Sequence, residues 1–237
     1  MSSRSAGDAK RDAGYHAAEM VRDGMVLGLG TGSTAYYAMV RLSARVREEE
    51  IAVAGVPTSH QTAIRARELG IPLTTLDEHP TLDLAIDGAD QVDPALRLIK
   101  GRGAALTREK VVACAAGRVV IVADPGKVVQ ALSGVVPVEV IPFAVAPVMK
   151  TLSGMGGVPR IREGMAKDGP VITDNGNFLI DCHFDRIPVP EGLEATLTVI
   201  PGVVECGLFC RYTQKTTLVV GEEEGCRVIT GKRAQEI

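Results

Sequence analysis

The stretch VLGLGTGSTAYY, residues 26–37, decides how this chain is read. An apolar run of strand length enters glycines at 28, 30 and 32, while Thr31, Ser33 and Thr34 supply hydroxyls on the way into a helical pattern. Glycines there permit a tight turn and close approach of a ligand. Ser33 and Thr34 are expected to cap the following helix, where backbone N–H groups and hydroxyls gather at its positive end. A strand, an anion-cradling loop and a helix in that order open a parallel α/β sheet. The identity of the anion is narrowed by what is missing. A Walker loop needs Gly-Lys-Ser/Thr, and no lysine follows Gly32. A dinucleotide fingerprint needs a glycine at 33 and an acidic residue closing the next strand, which ends instead in VPTSH. A small phosphate or carboxylate ester therefore fits better than a nucleotide cofactor, although the glycine pattern alone is equally compatible with a plain tight turn.

Outward from the loop, short runs rich in Val, Ile and Leu alternate with helical patterns. MVLGLG (25–30), IAVAGV (51–56), LDLAID (82–87), LRLIK (96–100) and RVVIVAD (118–124) read as buried strands, and AKRDAGYHAAEMV, STAYYAMVRLSARVREE, SHQTAIRARELG and ALTREKVVACAAG as the helices between them. This alternation predicts a Rossmann-like parallel sheet covered on both faces. From about residue 134 the pattern becomes strand VVPVEVI, helix FAVAPVMKTLSG, a PVIT/FLIDCHF hairpin around DNGN, helix LEATLTVI and strand VVECGLF. That βαββαβ order predicts a smaller ferredoxin-like α+β domain. TTLVVGEEEGCRVIT then returns one or two strands to the first sheet. The expected domains are 1–133 plus 208–237, and 134–207 as a lid.

Bulk properties exclude several function classes. The chain has 237 residues, 46% of them hydrophobic, enough for a real core, and no apolar run nears the ~18 residues of a membrane span. The amino-terminal MSSRSAGDAKRDAG is too polar for a secretory signal, so a soluble cytoplasmic protein is expected. A net charge of −3, 3% aromatics and no Trp argue against nucleic acid as a partner. Five scattered cysteines without a CxxC pair and four histidines without HxH or HxxxH spacing predict reduced thiols and no metal.

Three further stretches carry chemistry. AIDGADQVD places Asp87 and Asp90 around Gly88 and Ala89 at a strand exit, the edge where open α/β sheets bind ligands. They can hold hydroxyls, exchange protons or bind a metal, whereas Asp93, before Pro94, suits an Asx turn. In IKGRGAALTREK, Lys100 leaves a strand and can neutralise an oxyanion, and Glu109 one or two helical turns on can reach the same place. Glu109 and Lys110 are equally the ordinary solvated charges of a surface helix. ADPGK puts Lys127 on the turn after the next strand.

GLGTGSTA, DGADQVD, KGRGAALTREK, ADPGK, VITDNGNFLID and PGVVECGLF, in this order over nearly the whole chain, resemble ribose-5-phosphate isomerase of the type A family. The resemblance implies metal-free and cofactor-free interconversion of D-ribose 5-phosphate and D-ribulose 5-phosphate, in the non-oxidative branch of the pentose phosphate pathway, by a homodimer or homotetramer. It implies substrate contacts from Thr31, Gly32, Ser33 and Thr34, from Asp87, Gly88, Ala89 and Asp90, and from Lys100, Gly101, Arg102 and Gly103. Glu109 matches the proton acceptor, Lys127 a further contact, and Lys10 a lysine near the phosphate. Arg102 stands where the family usually has glycine. Competing readings are a sugar-phosphate deaminase, which would release ammonia, an acyl-CoA transferase, which would need CoA, and a sugar-phosphate sensor, which would need an output module.

Overall fold

A computed structural model describes residues 6–223 and 225–231; residues 1–5, 224 and 232–237, which include parts of the polar amino-terminal stretch and of the closing TTLVVGEEEGCRVIT segment, lie outside the described residues. The first half of the chain forms α1 (Ala6–Ala18), β1 (Val26–Leu29), α2 (Ser33–Glu48), β2 (Ala54–Pro57), α3 (His60–Glu68), β3 (Leu82–Gly88), β4 (Gln91–Val92), β5 (Leu98–Ile99), α4 (Leu106–Ala115) and β6 (Ala116–Ala123). There follow β7 (Gly134–Val140), α5 (Val145–Gly154), β8 (Val158–Ile161), β9 (Phe178–Phe184), α6 (Pro190–Thr198), β10 (Val203–Cys206), β11 (Leu208–Phe209), β12 (Thr216–Glu222) and β13 (Gly225–Thr230). The chain is α/β and divides into two compact units. One holds the residues up to Ala89, Arg108–Val128 and those from Tyr212 onward; the other holds Asp90–Thr107 and Val129–Arg211.

The first unit is built on a six-stranded sheet in the order β13-β12-β6-β3-β1-β2. Its strands run parallel except β13, which returns antiparallel along β12 at the edge. In β6 the five successive residues Val119, Val120, Ile121, Val122 and Ala123 are all buried. Neighbouring residues of a strand face opposite ways, so an unbroken buried run means that both faces of the sheet are covered. On one face Leu27, Leu29, Leu84, Ile86, Val120, Val122 and Val219 pack with Ala13 and Ala17 of α1 and Ala38, Met39 and Leu42 of α2. Each fully buried leucine contributes about 1.5–3 kcal/mol, and removing Leu27 or Leu84, both 0% exposed, would open a cavity at the centre.

The second unit carries a four-stranded antiparallel sheet in the order β10-β7-β9-β8. With α5 after β7 and α6 after β9, this is the ferredoxin-like arrangement expected from the βαββαβ pattern. The hairpin partner differs from the expectation. β9 pairs with Val158–Ile161, whereas PVIT contributes only the bridge Ile172↔Phe178 before the DNGN turn. β8 contains Pro159 and is an edge strand, where a proline can sit without costing a ladder bond. Pro147 falls in the first turn of α5, where its missing N–H has no intrahelical partner to lose.

A second correction concerns LRLIK and VVECGLF. Leu98–Ile99 is a strand, but it joins β4 and β11 in a separate three-stranded antiparallel sheet and not the parallel sheet. VVECGLF splits at Gly207, β10 serving the four-stranded sheet and β11 pairing with β5. A Cβ at Gly207 would lie 2.3 Å from the Lys100 carbonyl oxygen, so the chain can change sheets there only without a side chain. These pairings place 90–107 with the small unit, whereas the boundaries drawn from sequence place it with the first.

Candidate active site

In the first unit the loop after β1 is welded to the end of β3. The Asp87 carboxylate accepts through Oδ1 from the backbone N–H of Thr31 at 3.1 Å and of Gly88 at 2.7 Å. Gly30 also donates to the Ile86 carbonyl at 2.9 Å. Asp87 is 6% exposed, so a buried carboxylate is fixed by backbone donors at the carboxyl edge of a parallel sheet. The glycine at 30 is required sterically, because a Cβ there would lie 2.3 Å from Asp87 Oδ1.

Thr31 does more inside the loop than the sequence suggested. Its Oγ1 meets the hydroxyls of Thr58 at 2.8 Å, Ser59 at 2.8 Å and Thr62 at 3.0 Å. Thr58 and Thr62 in turn donate to the carbonyls of Leu29 and Gly30. Ser59 caps α3 by accepting from Thr62 N–H. This cluster joins the β1 loop to the β2–α3 junction, so the Thr31 side chain braces the loop. Sequence reading missed Thr58, Ser59 and Thr62; VPTSH was weighed only for its lack of an acidic residue, although three hydroxyls entering a helix were visible.

The expected capping by Ser33 and Thr34 is not what the structure shows. Gly32, at φ 129°, is itself the N-cap of α2, and α2 has no side-chain cap hydrogen bond. Ser33 and Thr34 are the first helical residues, Ser33 exposed and Thr34 buried. The physical reason lies in the backbone: the positive φ at 32 starts the helix one residue earlier than the hydroxyls. The consequence strengthens the anion reading, since the amino-terminal N–H groups of α2 lack the side-chain acceptor that a capping Ser or Thr provides.

Glu109 and Lys110 on α4 are 5% exposed each, which rules out the reading of both as solvated surface charges. Lys127 ends the 3₁₀ turn Pro125–Lys127, which Asp124 caps by accepting from Gly126 N–H at 3.1 Å. Lys10 lies half-buried on α1. Among the described residues the structure records no hydrogen bond from Lys10 or Lys127 to the 30–34 loop.

In the second unit, Asp90 and the 100–103 loop are brought together. Asp90 Oδ2 accepts from Arg102 N–H at 2.9 Å, and Asp90 N–H donates to Ile99. Lys100 follows a strand of the three-stranded sheet, so it does not share a sheet edge with Asp87 as the sequence implied. It is 4% exposed, with Nζ 5.6 Å from the Phe209 ring centroid, a desolvated cation over an aromatic face. Gly101, at φ 112°, would place a Cβ 2.8 Å from Leu106. Arg162 pins the same loop: Nη1 donates to the carbonyls of Gly101 at 2.8 Å and Arg102 at 3.2 Å, while Nε and Nη2 grip Asp181. The Arg102 side chain itself is exposed.

Asp93 is structural, as its Asp-Pro context indicated. It is 1% exposed and accepts from the N–H groups of Ala95 and Arg97 and from the Arg97 guanidinium, which it holds above its ordinary pKa.

In the first unit an uncapped helix start lies beside a buried carboxylate at the carboxyl edge of a mostly parallel sheet, the edge at which α/β enzymes bind their ligands. The family model for ribose 5-phosphate isomerase A (phosphoriboisomerase A) matches residues 54–225. Over 94% of its length the chain is 63% identical to ribose-5-phosphate isomerase A of Methanoregula boonei, 93% of which is covered. It is 52% identical to that of Methanosarcina acetivorans, over 94% of this chain and 95% of the relative. The structure of ribose 5-phosphate isomerase A from Methanocaldococcus jannaschii superposes with a TM-score of 0.91 at 44% identity, covering 95% of this chain and 100% of that one. A D-ribose-5-phosphate isomerase in complex with phospho-erythronic acid gives 0.90 at 44% identity, over 93% and 97%. The chain belongs to the ribose 5-phosphate isomerase A family, whose members are aldose–ketose isomerases.

Proposed function

We propose that the chain interconverts D-ribose 5-phosphate and D-ribulose 5-phosphate through an enediolate, with Glu109 carrying the proton between C2 and C1. The observation that carries the assignment of Glu109 is its burial: a carboxylate 5% exposed on a helix is held out of bulk water, where it can work as a base on carbon. In the forward direction Glu109 takes the C2 proton of the open-chain aldose. The electron pair moves into the C1–C2 double bond, the carbonyl oxygen at C1 becomes the enediolate oxygen, and Lys100 neutralises it. Glu109 then returns the proton to C1, and the proton of the C2 hydroxyl passes to O1 as the ketose carbonyl forms at C2. Asp87 handles the proton on the ring oxygen during opening, and Asp90 orients hydroxyls.

The phosphate belongs at the start of α2, with Gly32, Ser33 and Thr34 around it and Lys10 and Lys127 as further cations. Phospho-erythronic acid, named in the related complex, joins a phosphate to a carboxylate, which suits a site for a phosphate and a planar pair of oxygens. Among the described residues no helix is long and apolar enough to cross a membrane, and the reading places the enzyme in the cytoplasm. It acts as a homodimer or homotetramer. Phe143 and Met165, each 96% exposed, are apolar surface that a second copy would cover, and light scattering of the purified protein decides the state.

The testing experiment incubates the purified protein and its Glu109→Gln variant with ribose 5-phosphate and a chelator and assays ketose. Glutamine keeps the size but accepts no carbon-bound proton, so turnover should fall by about 10²–10⁴-fold with affinity little changed. Near-normal turnover in Glu109→Gln, or near-normal exchange of the C2 hydrogen with deuterated solvent, would transfer the role to another group, with Asp87 the first candidate.

A further inference from the structure

Glu139 is the one charge in the strand GVVPVEV, and it is completely buried. Its two oxygens take four side-chain donors. Thr107 Oγ1 reaches Oε2 at 2.5 Å; Thr173 Oγ1, Asn175 Nδ2 and Asn177 Nδ2 reach Oε1 at 2.8, 3.0 and 2.8 Å. Three of these donors come from the TDNGN turn, a motif to which the proposed chemistry gives no task. That turn is itself braced, because Thr173 Oγ1 accepts from the N–H groups of Asn175 and Asn177 and Thr173 N–H donates to the Asn177 carbonyl. Well-packed apolar residues usually serve stability as well as a buried polar cluster does or better. A carboxylate retained here therefore calls for a reason beyond stability.

The fourth donor supplies it. Thr107 is the second residue of α4, two positions before Glu109. At 3.6 residues per turn the two side chains leave the helix about 200° apart, so an anchor on Thr107 sets the azimuth at which Glu109 points to the other side. The axial separation is only about 3 Å, too short for the helix to bend out of an error. Displacement of a reacting group by about 1 Å can cost ~10²-fold in rate.

We propose that Glu139, held by the TDNGN turn, is a positioning residue that clamps Thr107 and thereby orients Glu109. This rests on the reading of Glu109 as the base. The test uses Thr107→Val, which keeps the shape and loses the hydroxyl, and Thr107→Ser, which keeps the hydroxyl, each in the wild-type and the Glu109→Gln background. Thr107→Val should lower kcat at least tenfold with KM for ribose 5-phosphate within about twofold, and Thr107→Ser should recover most of the loss. With Glu109→Gln already present, Thr107→Val should cost no further kcat, since residues acting as a unit are not additive. Glu139→Gln, which turns an acceptor into a donor facing donors, is the second probe and should show the same split with an unchanged far-UV spectrum. A Thr107→Val enzyme with kcat within twofold of wild type, or an equal loss in both backgrounds, overturns the clamp while leaving Glu109 as the base. Wild-type turnover in Glu109→Gln alone overturns both.

Discussion

Replacing Gly30 by alanine probes the contact on which the site in the first unit depends. The new Cβ would lie 2.3 Å from Asp87 Oδ1, 2.4 Å from Cγ and 2.6 Å from Cα. Turning the Asp87 side chain relieves the first two contacts. It cannot relieve the third, because Cα belongs to β3, held in register opposite Ile121 of β6. The distance to Cα is about 1 Å short of the ~3.5 Å optimum between carbon atoms, so backbone must move. Overpacking of this kind costs about 1–3 kcal/mol, and a clash with paired backbone belongs at the upper end, about 2–3 kcal/mol. The same displacement disturbs the bonds from Thr31 and Gly88 to Asp87, so kcat/KM should fall at least tenfold, or ~1.4 kcal/mol. Urea unfolding followed by tyrosine fluorescence suits the measurement: Tyr15, Tyr36, Tyr37 and Tyr212 all belong to the first unit, and the chain has no Trp. Gly32→Ala is the control, with φ 129° and nothing within 4 Å of its Cβ; it should carry backbone strain of ~1–2 kcal/mol without touching Asp87. Stability within about 0.5 kcal/mol of wild type and kcat/KM within about twofold for Gly30→Ala would refute the argument.

Ser33→Ala with Thr34→Ala removes hydroxyls from the start of α2, and calorimetric titration should show weaker binding of ribose 5-phosphate with the fold intact; unchanged affinity would remove the phosphate from this position. Arg102→Gly should leave kcat and KM within about twofold, well under the tenfold that ~1.4 kcal/mol represents, because the loop is held by the Arg102 N–H on Asp90 and by Arg162 on the carbonyls, not by the exposed side chain. At pH 8 Cys114, which is exposed, should react with a thiol reagent in the native protein. Cys182 and Cys210 should not react until denaturant is added, since burial pushes their thiols up to about 11 and about 12, the latter helped by Glu194. Labelling of Cys182 in the native state, read by mass spectrometry, would contradict its burial in β9.

The parallel sheet was legible because burial on both faces leaves a signature that needs no partner to be recognised. The run Val119–Ala123 is apolar at every position, and no half-exposed strand would be. LRLIK has the same look, yet its place in a three-stranded antiparallel sheet depends on pairing with Leu208 and Phe209, more than a hundred residues on, and nothing local encodes that. β8 went unread for the opposite reason: it follows Gly156 and Gly157 and contains Pro159, which carry no local strand signal, and only its edge position beside β9 accommodates them. In the site, Asp93 was legible from its neighbour Pro94. The brace around Thr31 was not, because its partners at 58, 59 and 62 meet it only through the packing of β1 against β2. Glu139 offered a visible signal, a lone carboxylate in an apolar strand, whose meaning rests on donors from two other segments.

The alternate glycines of the opening loop answer to three different demands. Gly28 has Val112 and Ala85 where a Cβ would go, at 2.3 and 2.9 Å, so it serves the packing of β1 against its neighbours. Gly30 makes room for Asp87. Gly32 has open space around it and is needed for its φ of 129°, which starts α2 without a capping side chain. Two of the three therefore concern protein touching protein, and only the third has open space beside it. The spacing alone could not separate an anion cradle from a tight turn because both readings need the same glycines: Gly28 lets β1 pack, Gly30 lets Asp87 meet the loop, and Gly32 leaves the start of α2 without a side-chain cap, as the anion reading requires. An alanine at 28 should accordingly cost stability first and catalysis second. An alanine at 30 should cost both, and one at 32 should weaken affinity for the phosphate more than turnover.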